Sequence, residues 1–420
     1  MKKANLVLAA ALAVAGVAGV GTGLLAPATA IAADAPKKAA PQQKIGAKML
    51  KPLKAAQEAI GAKNWEAALA SLAEAQAIEP KTPYEAFMVD ELGWYARIQT
   101  KDYKGAEEAL ARAVSSGFVA EADLPQRYKA LAQINYQIQD YPKAVEYGNK
   151  YLASAPGSVD IVTMVAHSLF LQDDFAGARD FVSKAASASA TPDEQLLLIG
   201  LRSSYELKDR PATVRSLESL VRHYPATKYW EDLLTNQLYE TKSDRDLRAL
   251  YRLIFDTQTM NRPDEYSEAA ATLTSGGFPT EAMKVLEQGI AAGAFQGEAL
   301  TRAKSDLQRA QSGADADRKE MAGADQALAT AKTGNEMVAM GKLYFSVGEY
   351  GKAADALQKG LAKGGVTDAD DANMLTGMAH ARAGKSAEAL AAFDAVKDAK
   401  LAEVARLWKL HVQTQAVPAS

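Results

Sequence analysis

The 420-residue chain has no cysteine and only four histidines. The first absence removes disulfides, thiol catalysis and cysteine-type zinc sites, so stability must come from packing. The histidines, His167, His223, His380 and His411, form no H-E-x-x-H and no i, i+4 pair. Each falls on a helical repeat position and reads as a packing or surface residue, because metal and catalytic sites need convergent groups. Strand-favouring aromatic and β-branched residues are sparse, while Ala, Leu, Glu, Lys and Gln are plentiful, which points to helices. No G-x-S-x-G, P-loop or dinucleotide fingerprint is present. The run "GVGTG" sits inside the N-terminal apolar segment and is not a phosphate loop. No catalytic residue, metal site or cofactor is therefore assigned, and the chain is expected not to be an enzyme.

What is present begins with a bipartite N-terminus. Lys2 and Lys3 precede an apolar run from Leu6 to Ala26, and small residues at Ala28, Ala30, Ala32 and Ala33 offer A-x-A-like cleavage points. Residues 1–33 read as a cleavable secretory signal, with an uncleaved inner-membrane anchor as the alternative. Removing them takes Lys+Arg from 48 to 46 against 51 Asp+Glu, a net charge of −5. A mildly acidic chain lacks the cation–phosphate contacts on which nucleic-acid affinity rests. With 48% hydrophobic and 24% charged residues, it is neither disordered nor a multi-span membrane protein. Residues 34–46 read as a flexible leader.

The rest is repetitive. "KNWEAALASLAEAQAIEP", "KDYKGAEEALARAVSSG", "QDYPKAVEYGNKYLASAP", "DDFAGARDFVSKAASAS", "GEYGKAADALQKGLAKGG" and "GKSAEALAAFDAV" share one phrase: an aromatic or turn residue, then an alanine three later. The alanines are Ala68, Ala106, Ala144, Ala178, Ala353 and Ala389. Trp65, Tyr103, Tyr141 and Phe175 are 38, 38 and 34 residues apart. A period in the mid-thirties means a stacked helix–turn–helix unit, in which small residues admit the neighbouring helix and bulky ones fill the gaps. Weaker copies carry Thr213 in place of the alanine, or Ala282 with one residue inserted. Residues 228–259 are helical by period without the phrase and read as a degenerate pair.

Gly341, Tyr344, Gly348, Glu349 and Tyr350, with the late Gly377, Gly384, Ala389 and Phe393 and the closing Pro80 and Pro156, resemble the tetratricopeptide repeat (TPR) family. The resemblance implies an all-α, right-handed superhelical solenoid of antiparallel helix pairs. The expected organisation is an N-terminal array over 47–296 with degenerate middle repeats, a helical connector over 297–330, and a C-terminal pair over 331–415. A terminal capping helix carries Val404, Leu407, Trp408 and His411 on one face. In this family the first helix of each pair lines a concave groove that holds peptides. That implies a partner-binding surface of Trp94, Arg97, Lys129, Tyr136, His167, Phe170, Arg202, Tyr205, Lys342 and Phe345, with aromatics beside cations.

Two acidic clusters, Asp315 with Asp317 and Asp368 with Asp370 and Asp371, lack the twelve-residue calcium loop and read as helix N-caps. The GxxxG spacings at Gly289/Gly293 and Gly360/Gly364 read as close packing followed by a C-cap, because their surroundings are charged. The chain is expected to be a periplasmic scaffold for protein partners, with no nucleic acid and no small-molecule substrate in evidence. Its layout is similar to exported periplasmic TPR proteins associated with TonB/ExbB-type energy-transduction systems. A scaffold for envelope polysaccharide export or secretion is the alternative, and a cell-wall-active enzyme the third reading.

Overall fold

The computed structural model describes residues 43–415; the expected signal and most of the leader lie outside them. Among the described residues every regular element is helical. They fall into two compact units, one ending at Lys208 and one starting at Asp209.

The first unit holds α1 (Ala47–Gly61), α2 (Trp65–Gln76), α3 (Pro83–Gln99), α4 (Tyr103–Ser115), α5 (Leu124–Gln137), α6 (Tyr141–Leu152), α7 (Val159–Leu171), α8 (Phe175–Ser187) and α9 (Glu194–Glu206). Trp65, Tyr103, Tyr141 and Phe175 each open the second helix of a pair, as the repeat phrase predicts. The alanine three residues on is fully buried in all four, at Ala68, Ala106, Ala144 and Ala178. A methyl group there lets the paired helix come close, where a larger side chain would force it away. Each tight turn uses the same device. Lys63, Lys101, Gln139 and Asp173 take positive φ of 57–65°, and the next residue, Asn64, Asp102, Asp140 or Asp174, accepts the N–H three residues on. The side chain satisfies a donor that the first helical turn leaves unpaired. Cores form between successive pairs; one joins Trp94 and Ile98 of α3, Leu110 of α4, and Leu131 and Ile134 of α5.

The second unit holds α10 (Arg210–His223), α11 (Thr227–Glu240), α12 (Asp244–Asp256), α13 (Pro263–Ser275), α14 (Pro279–Ala291), α15 (Gly297–Thr330), α16 (Gly334–Val347), α17 (Tyr350–Lys363), α18 (Ala369–Arg382), α19 (Ser386–Asp394) and α20 (Ala399–Gln415). The degenerate segment 228–259 is indeed a helix pair, α11 and α12. Ala353 and Ala389 are fully buried, like their counterparts in the first unit. Val404, Leu407, Trp408 and His411 all face inward on α20. This helix does more than cover α18 and α19. It also packs on α10 and α12, early in the same unit. Trp408 Nε1 donates to the Ala249 carbonyl over 2.9 Å, and Arg406 pairs with Glu218. The unit therefore closes on itself.

The segment expected as a connector is α15, which lies along α14 and α16 inside this unit. Its C-terminal half is tied in: Ser346 Oγ donates to Asp317 and Tyr344 Oη to Asp325, at 2.6 and 2.5 Å. Asp315 and Asp317 thus sit in mid-helix, correcting the expectation that they begin one. Gly313 marks no break; a Cβ there would lie 2.8 Å from Pro279, so glycine admits α14. At the second cluster Asp368 caps α18 as expected, accepting from the Asp371 N–H.

Candidate functional site

The expected groove residues separate into a largely half-buried stripe in the first unit, the two core residues Trp94 and Phe345, and Lys342 in the second unit. In the first unit Lys129 and Tyr136 on α5, His167 and Phe170 on α7, and Arg202 on α9 are half-buried, and Tyr205 is exposed. Tyr136 Oη lies 2.7 Å from His167 Nδ1. Burial, with a lesser push from the Arg202 charge, holds the His167 pKa below its ordinary value. Lys129 reaches across to Asp160 at 2.7 Å, and its ammonium stands 5.4 Å from the centre of the Tyr151 ring. Arg97 pairs with Asp102 at 2.9 Å. Phe170 meets Phe175 edge to face at 5.2 Å. The stripe is thus amphipathic, with fixed aromatic surfaces and with Lys129 and Arg97 already held by acids.

Trp94 does not join it. It is 3% exposed, packed between α3, α4 and α5, and Arg127, ion-paired to Glu91, covers its ring at 5.4 Å. Phe345 is fully buried in the second unit, and Lys342, on the same helix, is held by Asp371 at 2.7 Å. Register places both aromatics on a first helix, but the packing of their neighbours takes their surface away.

The second unit contains a feature that the repeat pattern does not announce: a cavity of about 440 Å³. Buried charges form part of its wall. Arg252 on α12 donates through Nε and Nη2 to one oxygen of Glu281 on α14, at 2.8 and 2.6 Å. The other oxygen takes Arg382 Nη1 from α18 at 2.7 Å. Arg382 makes two further bonds of 3.1 Å to the two oxygens of Asp256. Burial opposes the Glu281 charge, but Arg252 and Arg382 outweigh it and hold the carboxyl below its usual range. Burial likewise works against the Arg382 charge, and Asp256 and Glu281 overcome it. The Arg252 guanidinium stacks 4.1 Å from the Phe278 ring and 5.1 Å from that of Phe345. His411, pushed below its ordinary pKa mainly by burial, reaches the cavity from α20. A sequence signal did exist for Arg252. It interrupts the apolar stretch "LYRLIF" on a helix whose flanking Tyr251, Leu253 and Ile254 are all buried.

Stacked helix pairs with buried small residues at a fixed period define the class: an α-helical repeat protein. Two stretches, residues 95–159 and 338–401, match the family model for the tetratricopeptide repeat, so the chain carries TPR units in each of its compact parts. Similar solved structures include a chain of the Naa15/Naa10 complex bound to HypK-THB (14% identity, 86% of this chain and 66% of that one, TM-score 0.38). This chain thus spans slightly under two thirds of that protein. Others are a tetratricopeptide repeat protein from Parabacteroides merdae (12%, 80% and 99%, TM-score 0.31) and PilF of Pseudomonas aeruginosa (16%, 45% and 97%, TM-score 0.24). At these scores the likenesses carry no argument about function. No curated protein matches the chain.

Proposed function

We propose that the chain is an exported, non-catalytic TPR scaffold that binds protein partners in the cell envelope, as an accessory to a TonB/ExbB-type energy-transduction system. The observation that carries the binding reading is the stripe on α5, α7 and α9, where half-buried Lys129, Tyr136, His167, Phe170 and Arg202 recur on successive first helices. Solenoids of this kind bind extended or helical partners along such a surface. Envelope location is supported by the basic start, apolar run and small-residue cleavage region of residues 1–33. Assignment to an energy-transducing motor rests on the resemblance in layout. Photo-crosslinking in cells from positions 136, 170 and 205, followed by mass spectrometry, tests the proposal together with osmotic-shock fractionation. Recovery of an ExbB- or TonB-type protein by a periplasmic form lacking its first ~33 residues is expected. Recovery of an export porin or synthase, or retention in the cytoplasm, would overturn it.

A further inference from the structure

A cleft of about 440 Å³ in the second unit, open to solvent at Lys284 and Gln415, lies in the size range of small-molecule sites. Its wall is costly. Buried ion pairs lose solvation that their attraction barely recovers, so well-packed apolar residues would hold α12, α14 and α18 together at least as well. Structural need alone does not explain why charges are kept beside an open space.

The charges do not cancel. Arg252, Arg382 and Lys284 line the cavity against Asp256 and Glu281, and burial holds the His411 pKa below its ordinary value. One positive charge is left over. Two of the cations also have capacity to spare. Among the described residues, Arg252 Nη1 has no hydrogen-bond partner, and Lys284, exposed at the rim, forms no ion pair. Half of the remaining lining is aromatic; Tyr251 and Trp408 are fully buried behind it, and Phe255 and Tyr350 keep ring surface open to the cleft. The Tyr251 hydroxyl is already committed to Glu268 at 2.6 Å.

We propose that this cleft binds a carboxylate monoanion with an apolar body, its carboxylate meeting Arg252 Nη1 and Lys284 and its body lying against Phe255 and Tyr350. The site is independent of the partner-binding stripe of the first unit, so the scaffold reading can fail without it. The carboxylate can belong to a free small acid or to the C-terminus of a peptide.

Ligand-observed NMR on the full-length mature protein tests this. The probes are benzoate, indole-3-acetate, N-acetylphenylalanine and an acetylated tetrapeptide ending in phenylalanine, each beside its neutral amide. At least one acid is expected to bind, and its amide at least about tenfold more weakly, since a charge-assisted bond to a carboxylate is lost. Preference for the tetrapeptide acid would identify a chain end as the source; preference for the small acids would identify a free ligand. Lys284→Gln, at an exposed position that does not disturb folding, should weaken the acid about tenfold and leave the amide unchanged, and Lys284→Arg should restore it. No acid binding at millimolar concentration, equal binding of acids and amides, or an unchanged affinity in Lys284→Gln would overturn the proposal.

Discussion

Gly360→Ala sets two effects of known size against each other. Gly360 lies in α17, where alanine would gain about 1 kcal/mol over glycine from helix propensity alone. The added Cβ would lie 2.7 Å from the Gly334 carbonyl oxygen, 2.8 Å from Val338 Cγ2 and 3.1 Å from the Val338 nitrogen of α16. Two of these three atoms are backbone and cannot rotate away. Ordinary contacts begin near 3.5 Å, so α16 must retreat by roughly 0.7 Å or more along a tightly packed seam. Overpacking of this kind costs about 1–3 kcal/mol, before any loss of contacts elsewhere along the two helices. Packing should win, and the net effect should be destabilisation by up to about 2 kcal/mol.

Gly323→Ala is the internal control. Gly323 is exposed in the interior of α15, and a Cβ added there would meet no atom within 4 Å. The same substitution there should stabilise by up to about 1 kcal/mol. Both positions belong to the second unit, so one urea transition followed by far-UV circular dichroism reads both. The two variants should move the midpoint in opposite directions at unchanged m-value. If Gly360→Ala is as stable as the parent, or shifts with Gly323→Ala, the close approach of α16 and α17 is not what glycine serves.

Other consequences follow from the turns, the closing helix and the histidines. Replacing Lys63, Lys101, Gln139 and Asp173 by glycine should relieve a left-handed backbone at each turn; the gain is about 0.5 kcal/mol per site after the greater freedom of unfolded glycine is discounted, read as a higher urea midpoint for the first unit. Trp408→Ala should cost the second unit about 3–5 kcal/mol through lost volume and the lost bond to Ala249, with the first unit's midpoint unmoved in the same titration. All four histidines have pKa values lowered mainly by burial. The unfolded chain therefore takes up their protons first, so stability is complete above about pH 6.5 and falls as pH drops below it, with a limiting slope near 1.4 kcal/mol per pH unit for each histidine. His380 and His411 are the two buried ones, both in the second unit. Urea midpoints measured from pH 7.5 to 5.5 should fall more steeply for that unit, and His380→Gln with His411→Gln should flatten the profile; a flat parent profile would contradict the reasoning.

The helix pairs were legible because one small residue per pair is forced by contact, and its position repeats. Ala68, Ala106, Ala144, Ala178, Ala353 and Ala389 carry that constraint in a form that survives divergence elsewhere. The turns were less so: Lys101, Gln139 and Asp173 stand where glycine would announce a left-handed residue, and the Asx cap that follows supplies the signal instead. Asp315 and Asp317 misled because Ser312-Gly313 before them has the composition of a break. The flanking Ala-, Arg- and Gln-rich sequence has enough helix propensity to run through it. Of the site, Tyr136, Phe170 and Arg202 could be placed by register. The cavity could not, since Trp408 and Ala249 meet across 159 residues and no local period encodes that meeting.

The same register position has opposite fates in the two units. Tyr136, Phe170 and Phe345 each precede by five residues the aromatic that opens the next helix, and each meets it edge to face, at 5.9, 5.2 and 5.3 Å. In the first unit Tyr136 and Phe170 keep part of their surface. In the second, Phe345 loses all of it to Phe278, just ahead of α14, and to the guanidiniums of Arg252 and Arg382. In the second unit the inner face at Phe345 is thus filled by its own neighbours, and the accessible surface is a cleft lined from α12, α14, α18 and α20 instead. Charge follows the same logic: Lys129 and Arg97 are paired near solvent, where an incoming side chain can exchange with the acid at little cost. Arg252 and Arg382 are paired where exchange is expensive, so only a ligand that leaves the Glu281 pairs intact and takes up the surplus charge fits. One repeat chemistry therefore yields an adaptable surface in the first unit and a selective one in the second.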